Sequence, residues 1–286
     1  MSEKSTSFYK NKKISCGDQL LDLNEPKIMG ILNLTEDSFF DGGKHNKGEK
    51  YLYRAAEMIE AGVDIIDIGA ASTRPGAKLI NENDEWEILQ NPIRNLKRNF
   101  PNILLSVDTY NAKQVKKCAH SGVNIINDIS GGSWDDRMFQ EISEQSMAYV
   151  LMHIQGQPDN MQNSPSYHSV IDEVSLYFKE KTEELKQLNF QQIILDPGFG
   201  FGKTIEHNYK LLAQMKQFES LGFPLLAGLS RKSMVFKVLN NTPEESLNGT
   251  SVLNTLALQN GASILRVHDV KEANETIQLF SRYKRG

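Results

Sequence analysis

The sequence has only two cysteines, no long apolar run and no excess of basic residues. Cys16 and Cys118 lie far apart and match no metal-binding spacing, so we expect two ordinary thiols in a reducing cytosol. No run approaches the ~20 apolar residues that cross a bilayer. No apolar segment of signal-peptide length follows the polar amino terminus. These absences predict a soluble, cytoplasmic protein without a membrane partner.

Charge and composition indicate which partners the protein can bind and whether it forms a packed core. The 32 basic and 36 acidic residues leave a formal net charge of −4, which argues against nucleic acid as the main partner. A small anionic ligand can still meet a local cluster of cations. Hydrophobic residues make up 39% and charged residues 24%, a composition typical of a packed core. Because no low-complexity linker divides the chain, we predict a single domain over residues 1–286.

Short apolar runs recur eight times between amphipathic stretches. They are rich in Ile, Val and Leu without strict alternation, as in parallel strands buried on both faces. Eightfold alternation predicts a (β/α)8 TIM barrel, with the barrel proper at about 27–283 and residues 12–24 as a hairpin closing its floor. A doubly wound open sheet is the alternative, but it usually has fewer strands and one nucleotide fingerprint. The runs are 28–33, 63–70, 102–108, 123–128, 148–153, 192–196, 224–230 and 263–269.

Polar residues stand at or just after the carboxyl ends of these runs. In a parallel barrel the carboxyl ends converge on one rim, where this fold builds its active sites. A buried strand has no packing reason to end in a carboxylate, because an unpaired buried charge is strongly unfavourable. The pattern predicts a polar site on the rim, from Asn33, Asp108, Asn127, His153, Asp196, Ser230, Arg266 and His268.

Eight motifs, in order, resemble the dihydropteroate synthase family from about residue 14 to the end. They are MGILNLTEDSFFDGG (29–43), DIGAASTRPGA (67–77), SVDT (106–109), INDISGG (126–132), MHIQGQPDNMQ (152–162), ILDPGFGFGK (194–203), GLSRKS (228–233) and ILRVHDV (264–270). The resemblance implies condensation of 6-hydroxymethyl-7,8-dihydropterin pyrophosphate with p-aminobenzoate, by a dissociative, carbocation route. It also implies inhibition by sulfonamides and a homodimer formed through helices away from the rim.

The resemblance assigns the pterin to five residues whose chemistry suits that ring. A carboxylate such as Asp196 can accept from the adjacent N–H donors of the pyrimidine edge, and the amide of Asn127 can both donate and accept. Lys232 would hold the carbonyl side, and Met152 offers an adaptable apolar surface. Asp108 would stabilise positive charge as it develops on the substrate.

The resemblance gives the remaining roles to rim and loop residues. It assigns pyrophosphate binding to Asn33, Arg74, Arg266 and His268, and it makes Asn33 a ligand of Mg²⁺ as well. The p-aminobenzoate pocket would use Thr73, Pro75, Phe201, Lys232 and Ser233. The expected catalytic set is Asp108, Lys232, Asn33, Arg74 and Asp37. The loops 34–46 and 71–80 are expected to close over the substrates, although Glu36 and Ala71 depart from the family pattern.

Several alternatives stay open at this point. A pterin-dependent methyltransferase acting on methyltetrahydrofolate would need no pyrophosphate site, and a non-catalytic pterin-binding module would need fewer cations. The segment 198–204 superficially suggests a P-loop, but Pro197 stands where that motif requires glycine. Asp67 fits either the site or a structural bond inside the barrel. For His153, a structural hydrogen bond is favoured over catalysis.

Overall fold

Eight parallel strands close into a barrel, capped at one end by a short hairpin. The computed structural model describes residues 12–34, 50–70, 80–157, 161 and 164–286. The hairpin strands are β1 (Lys13–Cys16) and β2 (Gln19–Asp22). The barrel strands are β3 (Lys27–Asn33), β4 (Ile65–Gly69), β5 (Leu104–Asp108), β6 (Ile125–Asp128), β7 (Ala148–Met152), β8 (Ile193–Asp196), β9 (Leu225–Ala227) and β10 (Ala262–Val267). Each pairs with the next, and β10 pairs with β3. This confirms the predicted barrel and excludes the open sheet.

Helices between the strands form the outer layer. They are α1 (Lys50–Glu60), α2 (Glu82–Asn99), α3 (Ala112–His120), α4 (Met138–Ser143), α5 (Val170–Gln187), α6 (Ile205–Gln214), α7 (Ser233–Phe236), α8 (Leu247–Gln259) and α9 (Val270–Arg285), with a 3-10 helix at Met215–Leu221. The glycine that follows α1, Gly62, has a φ of +91°, the left-handed conformation expected after a helix. Among the described residues, no helix is both long and apolar enough to cross a membrane.

The hairpin closes the amino-terminal floor of the barrel, as the sequence predicts. Ile14, Cys16 and Leu21 pack with inward-facing strand residues such as Ile65 into one buried cluster. The Gly17 N–H donates to the Ser146 carbonyl at 2.7 Å. These contacts seal the end of the barrel opposite the carboxyl rim, so a site must open at the other end.

Both cysteines are free and fully buried. Burial raises the pKa of the Cys16 thiol to about 12 and raises that of Cys118 still further. Both thiols therefore stay protonated at neutral pH and pack as small apolar side chains.

Strand register brings the predicted polar residues to one level. Gly69 of β4 lies opposite Asp108 of β5, and Asp108 lies opposite Asn127 of β6. On the other side, Met152 of β7 lies opposite Asp196 of β8. Carboxyl ends of neighbouring strands thus meet on one rim.

Candidate active site

A buried ion network joins four strands inside the rim. Arg266 of β10 donates from Nε to Asp67 Oδ2 at 2.7 Å and from Nη2 to Asp108 Oδ2 at 2.9 Å. Asn127 Nδ2 donates to the same Asp67 oxygen at 3.0 Å. The side chains of Asp67, Asp108 and Arg266 are 0%, 9% and 16% exposed. One guanidinium therefore serves two desolvated carboxylates.

The network leaves negative charge imperfectly compensated. Burial raises the pKa of Asp108 to about 7, although Arg266 opposes the shift, and the Asp67 carboxylate adds to it. Asp67 Oδ1 is buried and has no hydrogen-bond partner among the described residues. A cationic or N–H-donating ligand placed here would compensate the negative charge of Asp67 and Asp108 that Arg266 and Asn127 leave uncompensated.

Asp67 is a site residue that the sequence left undecided. It lies two positions after Ile65, whose side chain faces the barrel interior, so strand periodicity points Asp67 inward as well. That periodicity is the signal available in the sequence. Its partner Arg266 stands on β10, and only closure of the barrel brings the two together.

Asp196 and Lys232 form a second charged group across the rim. Asp196 Oδ1 accepts the Gly198 N–H at 2.8 Å. Burial raises the pKa of Asp196, while Lys232 opposes that shift. The Lys232 ammonium donates to the Phe199 carbonyl and lies 4.7 Å from the ring centre of Phe201. Burial lowers its pKa to about 8. The rim therefore carries a buried acceptor, Asp196, and a buried donor, Lys232, whose ammonium lies close to an aromatic ring.

An apolar wall runs beside these charges. Met152 and Phe201 belong to one buried cluster with Tyr110, Ile129 and Met161. Since flat heteroaromatic and aromatic ligands need an apolar face with polar groups at their edges, this arrangement suits such molecules.

Lys203 is buried under the loop that follows β8. Its ammonium donates to the carbonyls of Gly198 and Phe201 at 3.0 Å each and of His153 at 3.3 Å, with His153 Nδ1 at 2.9 Å. Gly198 has a φ of +69°, and a Cβ there would collide with the His153 carbonyl oxygen. Because the Lys203 ammonium is bonded to these groups of the protein, it does not serve as the phosphate-binding lysine of a P-loop. The contact between Lys203 and His153 Nδ1 confirms the structural hydrogen bond predicted for His153.

His268 lies beyond β10 beside Arg266. Its Nδ1 is 3.0 Å from Ser230 Oγ, and its backbone N–H donates to the same oxygen at 3.2 Å. Burial, then the charges of Arg266 and Arg231, lower the pKa of His268 to about 4. The ring is therefore neutral at physiological pH.

The structure brings together most of the predicted site residues. Asn33 ends β3 at the rim, and Ser233 begins α7 directly after Lys232. Asp37, Thr73, Arg74 and Pro75, together with the departures Glu36 and Ala71, lie outside the described residues. Their predicted roles stay predictions.

Comparison with known proteins shows which family this chain resembles in sequence. A family model described as "Pterin binding enzyme" matches residues 29–268. The dihydropteroate synthase of Escherichia coli (strain K12) is 41% identical over 261 residues, covering 91% of this chain and 92% of its own. That of Haemophilus influenzae is 37% identical over 270 residues, covering 94% and 98%.

Solved structures agree in fold over nearly the whole chain. The Yersinia pestis dihydropteroate synthase in a sulfonamide drug complex is 38% identical, with a TM-score of 0.89 and coverage of 96% of this chain and 100% of its own. The Xanthomonas albilineans dihydropteroate synthase with 4-aminobenzoic acid is 31% identical, with a TM-score of 0.90 and coverage of 97% and 100%.

Proposed function

The chain belongs to the pterin-binding enzyme family and, within it, to the dihydropteroate synthases of folate biosynthesis, and on that premise we propose how its site performs the reaction. The substrates are 6-hydroxymethyl-7,8-dihydropterin pyrophosphate and p-aminobenzoate, and the products are 7,8-dihydropteroate and pyrophosphate. The observation that carries the proposal is the set of buried carboxylates, cations and apolar wall at one rim.

Asp196 and Asn127 hold the pterin's pyrimidine edge. The carboxylate accepts from adjacent ring and exocyclic N–H groups, which is a charge-assisted pairing. Asn127 already donates from Nδ2 to Asp67, so its Oδ1 is available as an acceptor toward the ring. Lys232 donates to the ring's carbonyl side, and Met152 packs against a ring face.

Asp108 acts on the reacting carbon. Loss of pyrophosphate before attack leaves a carbocation conjugated with the pterin ring, and a nearby carboxylate stabilises it. Arg266 is shared between Asp67 and Asp108, so it does not neutralise Asp108 fully. The neutral aniline nitrogen of p-aminobenzoate then attacks with its own lone pair, and the new C–N bond is left neutral when that nitrogen releases one proton to the pyrophosphate or to water. No covalent enzyme intermediate forms.

Pyrophosphate departure uses cations and N–H donors on the same rim. We assign this role to Arg266 and His268, and we propose that Arg74 joins them. The p-aminobenzoate ring lies against Phe201, with Lys232 and Ser233 beside it and Thr73 and Pro75 completing the pocket. Sulfonamides, which mimic p-aminobenzoate, compete for this pocket.

The donor set fits a magnesium ion that arrives with the pyrophosphate. Among the described residues, no group of three or more His, Cys, Asp or Glu side chains is arranged to hold a metal. Asn33 offers a single amide oxygen at the end of β3. Mg²⁺ commonly takes few protein ligands and keeps waters and phosphate oxygens. When bound, the ion neutralises charge on the departing pyrophosphate.

We also propose a cytoplasmic homodimer formed through the α7–α8 face. Val238 and Leu239, which follow α7, are 49% and 51% exposed, and Val252 and Leu256 of α8 are 53% and 44% exposed. Leu239 lies against Gly249 of α8, and Val252 and Leu256 follow Gly249 by three and seven positions, which puts them on the same face of that helix. Light scattering after gel filtration should give a dimer mass, and Leu256→Glu should give a monomer.

The test of function is a turnover assay with both substrates and Mg²⁺, in which dihydropteroate and pyrophosphate are quantified. We expect equal amounts of the two products, loss of both on chelation, and competition between sulfonamide and p-aminobenzoate. Pterin binding without turnover would contradict the proposal and favour the non-catalytic pterin-binding module. Methyl transfer from methyltetrahydrofolate would favour the methyltransferase.

A further inference from the structure

Ser230 and His268 make a two-point contact between the ends of adjacent strands. Ser230 follows β9, His268 follows β10, and these two strands pair in the barrel. Ser230 Oγ lies 3.2 Å from the backbone nitrogen of His268 and 3.0 Å from its ring Nδ1. Ser230 is only 4% exposed, so water does not readily replace either partner.

The hydrogen atoms in this contact can be assigned by counting donors and acceptors. A serine hydroxyl has one proton to donate and two lone pairs. The backbone N–H of His268 occupies one lone pair. Within the described part of the chain, His268 Nδ1 is the acceptor within reach of the hydroxyl proton. Donation to Nδ1 satisfies the buried hydroxyl, whereas a proton on Nδ1 would leave it without an acceptor.

The choice of tautomer matters because the ring is neutral. Burial, followed by the charges of Arg266 and Arg231, lowers the pKa of His268 to about 4, although the charge of Asp269 opposes the shift. A neutral imidazole has a single N–H. The bond to Ser230 therefore decides which ring nitrogen is a donor and which is an acceptor.

We propose that Ser230 is a positioning residue that holds His268 as the neutral Nε2–H tautomer, so that the ring donates a hydrogen bond to the pyrophosphate. This inference rests on the proposed function. In the opposite tautomer, Nε2 would turn a lone pair toward anionic oxygens. One change of tautomer would thus replace an attractive contact with a repulsive one, and the effect would be confined to ligands that carry phosphate.

The tautomer can be read directly from the full-length protein without any substrate. Two-bond ¹H–¹⁵N spectra of histidine-labelled protein at pH 7.5 distinguish the two neutral forms, and His268→Gln identifies the signals. We expect wild type to show Nε2–H. Ser230→Ala should shift the populations toward Nδ1–H, whereas Ser230→Thr, which keeps a hydroxyl, should restore the wild-type pattern. A wild-type ring protonated on Nδ1, or an unchanged pattern in Ser230→Ala, would overturn the proposal.

Binding and kinetics separate positioning from a general structural role. Full loss of the His268 donor would weaken pyrophosphate affinity about 10–100-fold, so the KM for dihydropterin pyrophosphate should rise in Ser230→Ala by up to that factor, in proportion to the population that has lost Nε2–H. The Kd for unphosphorylated 6-hydroxymethyl-7,8-dihydropterin should stay at the wild-type value. An equal loss for both ligands would refute the proposal. Ser220→Ala, which removes an exposed hydroxyl bonded to the Gln217 carbonyl, is the matched control.

The inference and the proposed function can fail separately. Calorimetry with inorganic pyrophosphate and Mg²⁺ needs no turnover. If wild type forms no dihydropteroate, the proposed function is wrong, yet the tautomer spectra and pyrophosphate titrations still decide the role of Ser230. If turnover is normal but the spectra do not change in Ser230→Ala, only the inference is wrong.

Discussion

Replacing Arg266 by methionine should destabilise the protein strongly and in a pH-dependent way. The guanidinium bonds Asp67 at 2.7 Å and Asp108 at 2.9 Å, and both carboxylates are nearly or fully buried. Methionine retains much of the apolar stem but none of the donors. Removing one partner of a buried ion pair typically lowers stability by about 3–5 kcal/mol, because a desolvated charge is left uncompensated. For a domain of this size the melting temperature should fall by roughly 10 °C.

The pH dependence follows from Asp108. Its pKa is about 7 in the folded protein against 3.8 as the ordinary value, so the folded state holds a proton that the unfolded chain has already released. Between about pH 4 and pH 7 the contribution of Asp108 to stability therefore falls as pH rises. Arg266 lowers this pKa, so its removal raises the pKa further and extends the loss above pH 7. The deficit of Arg266→Met should thus be larger at pH 8 than at pH 5.

Urea unfolding at both pH values measures the deficit, with Arg231→Met as the matched control. Arg231 also makes two bonds to a carboxylate, that of Asp269, but the two side chains are 32% and 14% exposed. An ion pair with that much solvent contact typically contributes about 0–1 kcal/mol. Equal losses of unfolding free energy in the two variants at pH 8, or equal deficits of Arg266→Met at pH 5 and pH 8, would refute the reasoning.

Four further predictions follow from the same geometry. Asp196→Asn should weaken hydroxymethyldihydropterin binding about 10–100-fold by calorimetry, because a charged acceptor is lost; unchanged affinity would contradict the pterin assignment. Lys203→Met should lower the unfolding free energy by about 3 kcal/mol and raise the KM for p-aminobenzoate, because the loop carrying Phe201 loses its internal donor; an unchanged KM would count against that coupling. Leu21→Ala should destabilise by about 2–4 kcal/mol in urea while turnover at saturating substrate is retained, since the hairpin lies at the far end of the barrel. Finally, kcat/KM should fall as pH drops below about 7, as Asp108 becomes protonated; a flat profile between pH 6 and pH 8 would argue against an ionised Asp108.

The sequence predicts the barrel well because each strand is a short run buried on both faces. The main departure is the run 224–230, of which only Leu225–Ala227 is strand. Leu229 is fully buried in the outer core although it lies in the loop after β9. Apolar composition records burial rather than hydrogen bonding in the sheet, so it extends the predicted strand into a buried loop.

The site is less predictable than the fold because its contacts join distant strands. Strand ends mark Asp108 and Asp196 from sequence alone. The Asp67–Arg266 pair is different, since β4 and β10 meet only across the interior of the closed barrel. Lys203 shows the same limit: its place in a glycine-rich segment resembles a phosphate loop, whereas the positive φ of Gly198 curls the backbone carbonyls around the ammonium.

The electrostatics of the site favour the reaction that we propose over simple binding. Burial and the nearby Asp67 carboxylate raise the pKa of Asp108, and Arg266 opposes this shift only in part because it bonds both carboxylates. In the dissociative route that we propose, a neutral pterin offers this carboxylate little compensation, whereas a pterin losing pyrophosphate brings positive charge next to it. Under that proposed route the interaction is stronger in the transition state than in the ground state, which is the condition for raising kcat and not only affinity. For simple pterin binding, a buried carboxylate with a raised pKa that shares one guanidinium brings no comparable gain in free energy.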